Sequence, residues 1–268
     1  MLQQTQVSRV VPKYAEFLRR FPTLRSLAAA PLRDVLRCWS GLGYNRRARR
    51  LWECARVVLE RGGTIPRDVA ALRALPGIGR YTAGAIASFA YGAAEPAVDT
   101  NIRRVLSRSL LGVDAAAEST VWRIASEALP RDAAEWNHAL MDIGALFCRP
   151  KPACDACPLN KACVWNALNP ARSRARDYIT RASLEHYRSK RKGAQRRPEP
   201  FQGSRRQHRG RVVRALAQTP SMSLMQLGPQ VKKGFSKTDL AWLHELLGDL
   251  ERDGLVALNV SRTRVALP

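Results

Sequence analysis

Four cysteines crowd into the segment CRPKPACDACPLNKAC, at Cys148, Cys154, Cys157 and Cys163, with the spacing C-x5-C-x2-C-x5-C. Thiolates held this close in one loop form a ready tetrahedral site of four sulfurs, for an iron–sulfur cluster or for zinc. The spacing does not choose between the two, because a short x2 pair is common to both. The loop directly follows a helical stretch, WNHALMDIGALF, so its ligands are presented from a fixed platform. A pair of disulfides is the competing reading. It is weak, because the chain has six cysteines in 268 residues and MLQQTQVSRVV is too polar for a leader peptide. Cys38 and Cys54 fall in helical patterns and read as plain buried thiols.

Ahead of the cysteines the pattern is helical throughout. VSRVVPKYAEFLRRF sets Val7, Val10, Val11, Tyr14, Phe17, Leu18 and Phe21 at helix-like spacing, with a kink or boundary expected at Pro12. LRDVLRCWSGLG reads as a helix closed by a glycine pair, and NRRARRLWECARVVLERGG as an amphipathic helix ending in glycines. VAALRALPGIG reads as a short helix and a tight turn, and RYTAGAIASFAYG as a helix whose small residues allow close packing. No stretch before the cysteines alternates convincingly, so a sheet-first fold is a poor fit, and none approaches the ~20 apolar residues of a membrane span.

Charge sets the partner. Lys and Arg number 45 against 22 Asp and Glu, a formal balance of +23. Coding bias alone can enrich arginine, but an anionic polymer, nucleic acid first, is the natural partner of such a chain. Two features fit a DNA backbone. Gly77 and Gly79 in LPGIG permit a tight turn with exposed amides, followed by the positive end of a helix near Arg80. Asp99, in VDTNIRRVLSR, stands at the start of another helix, where it serves as an N-cap and stays ionised at low cost. Arg103, Arg104 and Arg108 line the next turns, within reach of phosphate.

Residues 167–210 are very basic and poor in large apolar side chains, as in a charged linker, with a short helix expected around 178–187. Residues 211–268 read as three helices and a terminal hairpin, LVALNV and TRVALP, which suggests a small winged-helix-like module.

Taken in order, MLQQTQV, FPTLRSLAAA, WSGLGYNRRARRL, LPGIGRYTAGAIASFAYG, VDTNIRRVLSR, MDIGALFC and CxxCPL resemble the iron–sulfur branch of the helix–hairpin–helix DNA glycosylases. Within that branch the likeness is greatest to the adenine DNA glycosylase (MutY) type, and it covers residues 1 to about 165. The resemblance implies an all-α, two-lobed fold over residues 1–166. One lobe would be a helical barrel at 20–98, and the other would combine 1–19 with 99–166 and the cluster loop. It implies a [4Fe–4S] cluster on Cys148, Cys154, Cys157 and Cys163, with zinc as the lesser alternative. The first interval is one residue shorter here than is usual in the family. Residue by residue it implies Asp99 as the carboxylate opposing an oxocarbenium-like sugar, with Asn101 beside it. Tyr81 stands where lyase-active relatives carry lysine, which implies a monofunctional enzyme. Gln4 and Thr5 would enter the duplex near an opposing 8-oxoguanine, Tyr44 would wedge the stack, and Gly77 and Gly79 would grip phosphate. The implied partner is double-stranded DNA with a mismatched or damaged base, met by a monomer in the cytoplasm at the nucleoid, with no membrane.

Two departures qualify this expectation. The family's catalytic glutamate lies in a Glu-Val-Met-Leu-Gln-Gln-Thr string, whereas this sequence opens at Met1-Leu2-Gln3-Gln4-Thr5. The acid is therefore expected upstream of Met1, as with a mis-chosen start codon or a fragment, and the 268-residue chain is expected to bind mismatched duplex but excise poorly. Glu16 lies too far along the first helix to substitute. Residues 211–268 are also too short and too helical for the Nudix-like domain usual in the family. A thymine or uracil mismatch glycosylase, or a noncatalytic iron–sulfur DNA-binding protein, are the competing readings.

Overall fold

The computed structural model describes residues 1–3, 5–168 and 200–268. The described residues group into two compact units. The first contains 1–65, 75–77 and 200–268, and the second contains 66–74 and 78–168. Most of the expected basic linker, including the helix expected at 178–187, lies outside the described residues.

In the first unit, α1 (Val7–Arg20), α2 (Leu24–Ala29), α3 (Leu32–Trp39) and α4 (Arg46–Glu60) form the N-terminal helices. Helix α1 continues through Pro12, so that proline is not a boundary. Only Val10 and Phe17 of α1 are buried, while Val7, Val11, Tyr14 and Leu18 are exposed. Phe17 anchors the helix through edge contacts with Phe21 at 5.0 Å and Trp39 at 6.2 Å. Thr23 and Ser26 close a capping box at the start of α2.

The same hydrophobic core continues into the C-terminal residues of this unit. There the order is α11 (Arg205–Leu216), β1 (Met222–Ser223), α12 (Leu224–Val231), α13 (Leu240–Arg252), β2 (Ala257–Leu258) and β3 (Arg264–Ala266). The three strands form an antiparallel sheet in the order β1-β3-β2, with Val265 opposite both Met222 and Leu258. Helix, strand, two helices and a two-stranded wing is the order of a winged helix, with one strand more than the expected hairpin. Leu243, Leu246, Leu247 and Leu250 are all but fully buried along one side of α13, each contributing roughly 1.5–3 kcal/mol.

In the second unit, α5 (Val69–Arg73) and α6 (Arg80–Tyr91) are the arms of a helix–turn–helix. They are followed by α7 (Thr100–Leu111), α8 (Glu118–Glu127) and α9 (Ala133–Leu146), then two 3₁₀ turns through the cysteines and the short α10 (Val164–Ala167). Ile102, Val105 and Leu106 of α7 pack with Val121, Trp122 and Ala125 of α8 and Leu140 of α9. Among the described residues the only strands are the three after residue 221.

Candidate active site

Asp99 sits at the N-cap of α7, and its Oδ1 accepts the Ile102 amide at 2.7 Å. It is there because the extended backbone at Asp99 turns into an amphipathic helix whose first amides have no partner of their own. The carboxylate lies at the N-terminal end of α7, where the helix amides point. Tyr81, one residue into α6, is half-buried. Its phenol is held above its ordinary pKa, first by burial and then by the negative charge of Asp99.

Asn101 follows on α7, where that helix crosses α9. A Cβ at Gly144 would lie 2.6 Å from the Asn101 Cβ, so glycine permits the crossing. The Arg104 guanidinium donates to Asn101 Oδ1 at 2.9 Å, to the Gly144 carbonyl at 2.8 Å, and to the Cys148 carbonyl. Arg103 donates to the Ala116 carbonyl at 2.7 Å. Both guanidiniums, expected at phosphate, thus make hydrogen bonds within the protein.

The hairpin turn has the geometry its glycines allow. Gly77 has φ +80°, and a Cβ there would lie 2.6 Å from the Arg50 Cβ, so both the conformation and the close approach require glycine. Gly79 is the N-cap of α6 and brings no side chain to its first turn.

Cys148, Cys154, Cys157 and Cys163 line one small pocket, together with Phe147, Pro152 and Trp165. All six cysteines are free thiols; Cys38 is buried and Cys54 half-buried. Among the described residues no three His, Cys, Asp or Glu side chains are gathered so as to hold a metal ion. Arg108 enters this wall almost fully buried. Its Nη1 lies 3.8 Å from Cys148 Sγ and donates to the Arg149 carbonyl at 2.7 Å. Its other nitrogens hold Asp114, and its plane lies over Trp165 at 4.9 Å.

In the first unit, Thr5 donates to the Leu42 carbonyl at 3.2 Å and accepts from Arg47 at 2.8 Å. Gln4 lies outside the described residues. Arg47 also donates to the Met1 carbonyl at 2.8 Å, and so ties the segment around Thr5 to the Gly43 loop. Tyr44 holds a left-handed backbone, φ +48°, which few residues of its size adopt, and its ring is part exposed. Arg47 lies 5.5 Å from the Tyr44 ring on one side, and Arg206 lies 5.6 Å away and donates to the Tyr44 hydroxyl at 2.8 Å. Arg206 also covers Phe201 at 5.1 Å. Sequence reasoning missed Arg47 and Arg206, and it set Arg108 within reach of phosphate, whereas Arg108 is buried with its bonds inside the protein. The first two sit in basic runs that look alike along their length, and only the fold sorts an arginine that meets an aromatic ring from one that meets water.

Comparison with known proteins agrees with this geometry. Residues 1–131 match the HhH-GPD superfamily of base excision DNA repair proteins. An adenine DNA glycosylase of Mycolicibacterium smegmatis is 47% identical over 182 residues, covering 66% of this chain and 62% of the relative, so this chain spans less than two thirds of that protein. An adenine DNA glycosylase of Mycobacterium tuberculosis (strain CDC 1551 / Oshkosh) is 36% identical over 283 residues, covering 100% of this chain and 83% of the relative. Among solved structures, a thermostable thymine-DNA glycosylase superposes with a TM-score of 0.57 at 31% identity, covering 62% of this chain and 79% of that one. The helix–turn–helix before an aspartate-capped helix, the thiol-lined loop after it and this likeness agree: the chain belongs to the HhH-GPD superfamily of base excision DNA repair proteins, in its MutY-like branch.

Proposed function

We propose that this protein is a monofunctional DNA N-glycosylase that removes adenine mispaired with 8-oxoguanine or guanine. The observation that carries the proposal is Asp99, whose carboxylate caps α7 and whose charge is felt by Tyr81 of the helix–turn–helix. Breaking an N-glycosidic bond develops positive charge on the sugar. A fixed carboxylate at a helix N-terminus opposes that charge without reorganising. Tyr81 has no amine, so it forms no Schiff base with the sugar, and the abasic product keeps its backbone intact. Asn101 flanks the carboxylate. Gly77 and Gly79 would hold phosphate on the backbone of their turn, and Tyr44 would enter the stack as the base is drawn out. Gln4 and Thr5 would meet the opposing base. The internal bonds of Arg103 and Arg104 favour a structural role for them, which leaves phosphate contact to the other surface arginines.

Cys148, Cys154, Cys157 and Cys163 would hold a [4Fe–4S] cluster. Four sulfur donors lining one pocket suit an iron–sulfur cluster or zinc, and the family likeness favours the cluster. Bound there, the cluster would supply cross-linking of the loop rather than chemistry on DNA.

A substrate panel tests the proposal. Duplexes with A opposite 8-oxoguanine or G should release base under excess chain, with strand breaks appearing only after alkali. Duplexes with T or U opposite G should be left intact. The opposite preference would assign the chain to pyrimidine mismatches, the activity named for the structural neighbour.

A further inference from the structure

We propose that Asn137 is a positioning residue that aims Asp99, by clamping the segment Glu95–Asp99 between α6 and α9; this rests on the reading of Asp99 given above. Asn137 lies on α9 and is fully buried, with 0% exposure. Every bond it makes goes to the approach to Asp99 or to the helix behind it. Its Oδ1 accepts the Ala97 amide at 3.0 Å, and its Nδ2 donates to the Glu95 carbonyl at 3.0 Å. The second Nδ2 proton goes to Ser88 Oγ at 3.1 Å, from α6. The amide thus bonds a donor and an acceptor two residues apart on one extended strand of chain, as a neighbouring β-strand would.

The other side of the segment is closed as tightly. A Cβ at Gly84 would collide with the Pro96 carbonyl oxygen, so α6 lays bare backbone against it. Tyr81, Gly84 and Ser88 lie on one face of α6 at helical spacing; Gly84 packs on Pro96, and Ser88 holds the Asn137 amide. Ala97 is 0% exposed, and Asp99 follows two residues later. A buried primary amide is unfavourable unless all its partners are present. Here they are, and they fix the backbone that carries the carboxylate. A shift of about 1 Å in a reacting group is enough to lose about 100-fold in rate, so this clamp bears on function as well as on folding.

The test must separate aim from stability, and must not depend on the acid that protonates the base. Two duplexes serve, identical except at one site: a neutral tetrahydrofuran abasic residue or a protonated pyrrolidine of the same shape. The ratio of their dissociation constants reads the pull of Asp99 on a cationic sugar. Asn137→Leu, close in volume but without hydrogen bonds, should lower the ratio by about 10-fold or more and leave affinity for the neutral duplex unchanged. Leu140→Ala, on the same helix, should lower the melting temperature and keep the ratio. If Asn137→Leu does not fold, Ser88→Ala removes only the bond that orients the amide, and should lower the ratio in the same direction. A folded Asn137→Leu or Ser88→Ala protein with the full ratio overturns the inference. Asp99→Asn is the control. If it keeps the ratio, the reading of Asp99 fails; if it collapses the ratio while the clamp variants do not, only the clamp fails.

Discussion

Replacing Asp99 by asparagine and by alanine separates the two things that a carboxylate does at this position. Its Oδ1 bond to the Ile102 amide is 2.7 Å long and belongs to the helix cap. Asparagine caps about as well as aspartate, whereas alanine costs about 0.5–2 kcal/mol. At about 2–4 °C per kcal/mol for a chain of this size, Asp99→Ala should melt roughly 1–8 °C lower. Asp99→Asn should melt as the unaltered chain does. The charge behaves differently. Opposite unit charges about 4 Å apart at an effective dielectric of ~20 attract by about 4 kcal/mol, or roughly 10³-fold in affinity. Exposure to water trims this, so both variants should lose about 10²–10³-fold in preference for the pyrrolidinium duplex over the neutral one. Thermal unfolding and competition binding read the two effects separately. If Asp99→Asn keeps the cation preference, or melts as low as Asp99→Ala, the cap and the charge are not the separable roles assigned here.

Three other perturbations follow from the geometry. Gly77→Ala meets both a left-handed backbone, costing about 1–2 kcal/mol, and the Arg50 Cβ. Gly92→Ala, at φ +64° with open space around it, meets only the first; duplex affinity should therefore fall in Gly77→Ala and hold in Gly92→Ala, and equal affinities would remove the hairpin from the DNA contact. Arg108→Met strands the Arg149 carbonyl and unpairs Asp114, whose side chain is 46% exposed and can rehydrate. A loss of about 2–3 kcal/mol, below the ~3–5 of a fully buried pair because Asp114 rehydrates, should lower the melting temperature by roughly 5–10 °C and reduce iron and sulfide content per chain; a normal melt with full iron would refute it. Arg206→Ala removes an exposed cation stacked between Tyr44 and Phe201. It should reduce the slope of log affinity against log salt by about 1, and an unchanged slope would place Arg206 away from phosphate.

The helical class, the capped helix at Asp99, the hairpin glycines and the thiol loop were legible because each rests on local chemistry: a cap, a turn or a ligand spacing. What was not legible depends on distant partners. Asn137 lies in the WNHALMDIGALF stretch that reads only as a platform for the cysteines, since its three partners come from residues 88–97. Arg104 looks like a phosphate ligand on a basic helix turn. Its partners, the Gly144 and Cys148 carbonyls, are about forty residues away and invisible to periodicity. Pro12 reads as a break, yet α1 continues through it with only two residues buried, so a periodic apolar pattern overstated how much of that helix packs. Strand β1 is two residues long, too short to show alternation. The packing of residues 211–268 into the same core as α1–α4 has no local signature at all.

The most direct measurement is identification by mass of the base released from two duplexes in one tube, A opposite 8-oxoguanine and T opposite G. The chain would be in excess. The account predicts free adenine alone and no strand break before alkali. Thymine release with adenine retained, or no base released, would contradict it.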